Sequence, residues 1–235
     1  MTEQDRFKEV RDFYDEDYYA ESGTAAKLST WHEQLIAGRL GDLKGKRVLD
    51  VACGLGQWLE LLHRQGARVS GIDISQRAID QCQRRFPEGD FRVGPAETLP
   101  FDDASFDLVT CMGSLEHFLD KPGALREMRR VAAPGARFLI LVPNAGFLTR
   151  RLGLYTGTQQ TRIREDVFTL AVWDELFRAA GLHVEQRWRD LHMLDWRWIG
   201  SGRPLAWPLR AAQAIALPLW PLSWQYQVHH YCRCA

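Results

Sequence analysis

Asp50, Gly54, Gly56 and Asp73 are the residues whose types and spacing most readily permit chemistry. Gly54-Leu55-Gly56 follows the apolar run Val48-Leu49-Asp50-Val51-Ala52. Glycines in a turn between a strand and a helix let the backbone approach a ligand closely, because glycine adopts angles closed to other residues and adds no side chain. On their own the two glycines fit a ligand-free turn or many kinds of nucleotide site equally well. The carboxylates narrow the choice. Asp50 lies inside the run, four residues before Gly54, where burying it is costly unless a cation or backbone amides compensate. Asp73 stands 19 residues after Gly54, closing the next apolar run, where a carboxylate can accept both hydroxyls of a ribose. A dinucleotide site needs a third glycine, and here Leu59 stands in its place. The segment also holds no basic residue for a phosphate, and Asp50 would repel a pyrophosphate. A phosphate-free ligand with a ribose and positive charge fits better, and S-adenosylmethionine, with an ammonium and a sulfonium, has that pattern. His117, just past a further apolar run, sits where open α/β sheets bind substrates. Its pKa range suits it to take a hydroxyl or amine proton; alternatively Glu116-His117 only begins a helix.

The elements that must hold these residues alternate in type. Apolar runs at 47–52, 68–72, 91–93, 106–112 and 137–142 read as strands, with helical spacing between them: Leu55, Leu59 and Leu62; then Ile79, Cys82 and Phe86 behind a Ser75 cap; then Leu125 and Met128 before Pro134-Gly135. Trp173, Leu176, Phe177 and Ala180 mark another helix, a sixth strand starts at Leu182, and 226–231 alternates as a final strand. Such alternation with short turns implies an α/β, doubly wound, Rossmann-like sheet with helices on both faces, mostly parallel with an antiparallel final strand. Phe7, Val10 and Tyr14, then Leu28, Trp31 and Leu35, suggest two N-terminal helices. The expected organisation is a helical lid at 1–44 and one domain at 45–235 with an apolar insertion at about 191–222. Within that insertion, Arg210 and prolines 208, 218 and 221 interrupt the run, so it falls short of the roughly 18 residues of a membrane span. A packed helical insertion, an oligomer contact and a membrane-surface element all fit it.

The 235 residues suit one domain with some decoration. Net charge is zero, but residues 1–121 carry 15 basic and 22 acidic side chains and residues 122–235 carry 15 and 8, so the halves stand at −7 and +7. A basic surface for an anionic substrate or phospholipid headgroup is one reading; a solvated charge pattern is the other. Arg150, Arg151, Arg162 and Arg164, after the fifth strand, could serve such a substrate. The five cysteines form no CxxC pair and no zinc spacing. With a polar, acidic N-terminus, the default compartment is the reducing cytoplasm.

The segments VLDVACGLGQWL, GIDIS, GPAETLPFDDASFDLVTCMGSLEHF and LREMRRVAAPGARFLILVPN resemble, as a set, the class I S-adenosylmethionine-dependent methyltransferases of the broad small-molecule, type 11-like subgroup. The resemblance runs from about residue 46 to 143. It implies that Asp50 and the turn Ala52, Cys53, Gly54 and Gly56 hold the methionine part, Asp73 the ribose, and Ile74 the adenine face. Ala96 and Glu97 would border the adenine, and Met112 and Gly113 would face the sulfonium. Many relatives carry an acidic residue before the alanine; here it is Pro95, which leaves the adenine to Glu97 or the backbone. Phe13 to Tyr19 resembles the aromatic lid of many relatives, with Tyr19 against the cofactor. CMGSLEHF also resembles ubiquinone-biosynthesis O-methyltransferases, which have an extra acidic residue where Gly113 stands; two remaining ligands make no magnesium site, so no metal is expected. The expected function is methyl transfer to an oxygen or nitrogen of a small acceptor, anionic or partly apolar, with His117 as general base. Methylation of a tRNA or protein, or a non-catalytic cofactor-binding domain, are the alternatives; no basic appendage points to nucleic acid. Monomer and homodimer, with or without peripheral membrane contact, both fit.

Overall fold

A computed structural model of the chain describes residues 3–19, 30–151, 153, 165–194, 200, 207–216 and 219–235. Seven strands form one sheet in the order β3-β2-β1-β4-β5-β7-β6. They are β1 Arg47–Val51, β2 Arg68–Asp73, β3 Asp90–Val93, β4 Phe106–Met112, β5 Ala132–Pro143, β6 Leu182–Arg189 and β7 Gln227–Cys234. β1 to β5 pair in parallel, and β7 runs antiparallel between β5 and β6. The strand order reverses at β1 and β4, so their carboxyl ends open onto one crevice, the place where such sheets bind ligands.

Helices α1 Glu3–Asp12 and α2 Thr30–Ala37 precede the sheet; α3 Gln57–Arg64, α4 Gln76–Arg85, α5 Lys121–Val131, α6 Leu170–Ala179 and α7 Trp207–Ala216 follow. Trp58, Leu59 and Leu62 of α3 and Ile79 and Cys82 of α4 pack on one face of the sheet with Val48, Leu108 and Leu139. Leu125 and Met128 of α5 and Trp173 and Phe177 of α6 pack on the other with Leu49, Val109 and Ile140. Ser75 caps α4, its hydroxyl accepting from the Ala78 amide at 3.1 Å.

Three local readings change. Pro134-Gly135 does not separate helix from strand: β5 already pairs at Ala132 with Phe106, then skips to Arg137 opposite Leu108. Gly135, at φ +79°, supplies the left-handed residue that the irregularity needs. In α2 the buried side is His32 and Ile36, while Trp31 and Leu35 are exposed. The first helix continues past Asp12 as a wide π-helical turn, Phe13–Tyr18. Leu28, Arg162, Arg164 and much of the apolar stretch lie outside the described residues; its described helix, α7, exposes Trp207 and Ile215 and buries Ala214. No helix among the described residues is long and apolar enough to cross a membrane.

Candidate functional site

The crevice is built on a strained turn. Ala52, Gly54 and Gly56 all have positive φ, at 61°, 52° and 77°, which turns the backbone of residues 52–56 sharply before α3. At Gly56 a side chain would also collide: a Cβ there would lie 3.0 Å from Cys82 Sγ and 3.1 Å from the Phe86 ring. That glycine therefore seats the turn on α4. Asp73 ties the turn to β2, one oxygen accepting from the Gly54 amide at 2.9 Å and the other from the Ser75 amide at 3.0 Å. Burial pushes the Asp73 carboxyl up to about 6; the amides of Ser75 and Gly54 oppose the shift and Asp15 adds to it. Asp50 is more isolated. Its side chain is buried and accepts from the Thr110 hydroxyl at 2.6 Å. Burial lifts it to about 7 against that bond, with Asp73 adding to the rise. A half-neutralised buried carboxylate beneath an amide-lined turn suits a cationic ligand.

Above the turn, Ala52, Asp73, Ile74, Ala96, Glu97 and His117 share one narrow cavity of about 80 Å³, whose walls also include Tyr14 and Tyr19. These two come from the N-terminal segment. The Tyr19 hydroxyl lies 3.1 Å from where a Gly54 Cβ would stand. Burial, reinforced by Asp73, raises both phenols well above their usual range, so they stay protonated. Asp15 pins the segment down, accepting from the Ser75 hydroxyl and from the Arg77 amide. The Glu97 carboxylate accepts from the amides of Leu119 at 2.9 Å and Asp120 at 3.1 Å, bracing the loop after β4; burial raises its pKa.

A second cavity, about 290 Å³, opens beside the first. Gly113 lines it and the next residue, Ser114, lines the first, so the two meet at the carboxyl end of β4. Met112, Leu141 and Trp58 form its floor, and His32, Asp190, His192 and His229 its polar wall. Asp190 is almost wholly buried, contacting His32 Nε2 at 3.0 Å and the His192 ring. Those histidines hold its carboxyl far below the usual range despite burial. Among the described residues, no group of three or more His, Cys, Asp or Glu is arranged to hold a metal.

Comparison with known proteins matches this crevice to a family. Residues 49–140 match the methyltransferase domain family. Demethylmenaquinone methyltransferase of Thermotoga maritima is 34% identical over 113 residues, covering 47% of this chain and 49% of its own length. The 27-O-demethylrifamycin SV methyltransferase of Amycolatopsis mediterranei is 31% identical over 180 residues, 70% of this chain and 64% of its own. The fold is shared with 1,6-didemethyltoxoflavin-N1-methyltransferase of Burkholderia thailandensis, a structure with bound 1,6-didemethyltoxoflavin and S-adenosylhomocysteine. Its TM-score is 0.68 at 17% identity, over 100% of this chain and 91% of that one. Residues 49–140 thus carry a methyltransferase domain, and over that stretch the chain is similar to the class I S-adenosylmethionine-dependent methyltransferases. The chain spans about half the length of the curated relatives it matches.

Within this methyltransferase fold, the expected site residues divide into groups. Ala52, Asp73, Ile74, Ala96, Glu97, His117 and Tyr19 converge on the first cavity, and Met112 and Gly113 on the second. Asp50 and Gly56 lie under the turn and line neither. The Cys53 side chain points away into the layer between β2 and α4, its sulfur 4.0 Å from Cys82 Sγ, so only its backbone can meet a ligand. Arg150 and Arg151 line neither cavity. Tyr14 belongs to the segment read as an aromatic lid; sequence reasoning missed Phe7, Val10 and Ser114 in the first cavity, and His32, Trp58, Asp190, His192 and His229 in the second. It also missed Glu116, buried, pushed up to about 8 mainly by burial, with Oε2 unpartnered. The one local signal for the second group is Asp190-Leu191-His192, a carboxylate and an imidazole at the end of β6.

Proposed function

We propose that this methyltransferase domain binds S-adenosylmethionine in the first cavity and transfers its methyl group to an oxygen or nitrogen of a small-molecule acceptor. The observation that carries the reading is the pair Asp50 and Asp73 around the positive-φ turn. A buried carboxylate with one hydrogen bond, beneath the turn that borders this cavity, favours a positively charged ligand across the turn, and the methionine part carries an ammonium and a sulfonium. Asp73, already oriented by two amides, faces the cavity where a ribose would sit. The cofactor supplies an activated methyl on a positively charged sulfur; the protein supplies alignment and a place for the acceptor's proton.

Residues 1–44 fit the role of a lid over the domain at 45–235. Tyr14 and Tyr19 reach into the first cavity, and Asp15 latches the segment onto the start of α4. Cofactor entry then requires this segment to move. His117, expected to take the acceptor's proton, lies among the residues assigned to adenosine and is better placed to touch the cofactor. Small-molecule acceptors are favoured by the activities named for the rifamycin and toxoflavin enzymes. The test is incubation with methyl-labelled S-adenosylmethionine and cell extract, followed by mass identification of labelled products. A labelled small molecule supports the reading; label confined to RNA or protein, or none transferred by cofactor-bound protein, contradicts it.

A further inference from the structure

Residues 191–222 lie outside the stretch shared with other methyltransferases, and their composition is their own. Four of the chain's nine tryptophans fall there, Trp196, Trp198, Trp207 and Trp220, with three arginines, one aspartate, and neither lysine nor glutamate. Within this segment α7 packs against the short turn His192–Leu194. His192 lines the second cavity, so the helix stands beside it.

The helix turns its larger apolar side outward. Pro208, Ala212 and Ile215 are exposed, and steps of four and three residues set them along one face. Leu219 follows four residues later. Ile215 is 78% exposed and Leu219 86%, far above every other exposed large hydrophobic side chain described; Trp207, beside the stripe, is half exposed. The opposite side holds Arg210, half-buried, and Ala214, buried. Burying a small alanine while presenting isoleucine and leucine to water is the reverse of what a helix gains from folding onto its own domain. An apolar stripe of this kind marks a contact made with something else.

We infer that this face docks on an anionic lipid bilayer, with Pro208, Ala212, Ile215 and Leu219 toward the acyl chains and Trp207 at the level of the headgroups. Size, composition and charge choose the bilayer over a protein partner. α7 has ten residues, and its few outward side chains cover far less than the roughly 800 Å² that each partner buries in a stable dimer. Shallow insertion into a leaflet needs no such area; it needs an apolar face, tryptophan and positive charge. The charge is there: three arginines against one aspartate leave residues 191–222 at +2, within the half of the chain that stands at +7. Such a field draws anionic headgroups. The contact stays in one leaflet, because Pro208, Pro218 and Pro221 interrupt the segment and no helix among the described residues is long and apolar enough to cross. Docking brings the second cavity close to the bilayer surface. The inference is independent of the methyl-transfer reading.

The test is co-sedimentation of the full chain with vesicles of phosphatidylcholine and phosphatidylglycerol, mixed at about three to one, and with vesicles of phosphatidylcholine alone. The wild type should pellet with the mixed vesicles. Its partition coefficient should fall about tenfold or more on phosphatidylcholine alone, and also when salt rises from about 0.1 to 0.5 M. Ile215→Asp combined with Leu219→Asp should lower partition into the mixed vesicles by about tenfold or more, while its urea-unfolding midpoint stays that of the wild type, since both side chains already face water. Ile215→Ala combined with Leu219→Ala, which adds no charge, should show a smaller loss in the same direction. Wild-type protein that stays in the supernatant with mixed vesicles overturns the inference, and so does an aspartate variant that pellets like the wild type. Equal partition onto phosphatidylcholine alone overturns the anionic preference. A wild-type dimer in light scattering that the aspartate variant converts to a monomer gives the face to a second copy and overturns it too.

Discussion

Replacing Asp50 with Asn should make the free protein more stable and the cofactor complex weaker. The carboxyl is buried and its pKa stands at about 7, against an ordinary 3.8. Between roughly pH 4 and 7 the unfolded chain has lost this proton and the folded chain keeps it. Wild-type stability therefore falls as pH rises through that window and levels off above 7. At about 1.4 kcal/mol per pH unit, keeping Asp50 charged at pH 8 costs the fold on the order of 4 kcal/mol. Asn keeps the acceptor for the Thr110 hydroxyl and, like a protonated carboxyl, leaves a donor to satisfy. Near pH 4 the two proteins should be about equally stable, and at pH 8 Asp50→Asn should lead by roughly 2–4 kcal/mol. Urea unfolding at both pH values reads this difference. The same variant should bind S-adenosylmethionine about 1.5–3 kcal/mol more weakly, the scale of a hydrogen bond to a charged group. A variant less stable than wild type at pH 8, or one with unchanged cofactor affinity, would refute the view that this carboxylate is held ready for a cation.

Asp73→Ala, which frees the Gly54 and Ser75 amides and removes the ribose acceptor, should weaken cofactor binding by about 1–3 kcal/mol in calorimetry. S-adenosylmethionine affinity in the wild type should be greatest near neutral pH, falling on the alkaline side as the ligand's own ammonium loses its proton. Below 7 Asp50 must first give up a proton, and below 6 Asp73 as well, so at pH 5.5 binding should be on the order of 10–100-fold weaker than at pH 7.5; a flat profile contradicts this. Gly56→Ala should cost about 2–4 kcal/mol in urea unfolding, from a left-handed alanine plus contact with Cys82 and Phe86. His117→Ala should weaken cofactor binding while changing kcat at saturating cofactor by less than about tenfold; a loss of about 10²–10⁴ in kcat there would mark His117 as the base.

The sheet and the first cavity's framework were legible because their signals are local. The run 48–52, the two glycines and Asp73 belong to one strand–turn–helix–strand unit, and Ser75 caps the helix that follows. The second cavity was illegible for the opposite reason. His32 and Asp190 are 158 positions apart and meet only because β6 and β7 bring the end of the chain back beside α2. In α2 the helical spacing of Trp31 and Leu35 marks the exposed side, and His32 lies with Ile36 on the buried one. Cys53 stands within the cofactor turn, yet its side chain packs inward and leaves only its backbone toward a ligand, because residues of a tight turn need not all face the same way. Pro134-Gly135 read as a stop, but an irregular strand pairing carries both residues inside β5.

Calorimetry of the purified chain with S-adenosylmethionine, S-adenosylhomocysteine and NAD tests the central claim most directly. The Asp50 and Asp73 carboxylates and the phosphate-free turn predict saturable binding of the first two at one site per chain, weakened by Asp73→Ala, and no heat from NAD. Tight NAD binding with no response to S-adenosylmethionine would contradict the account.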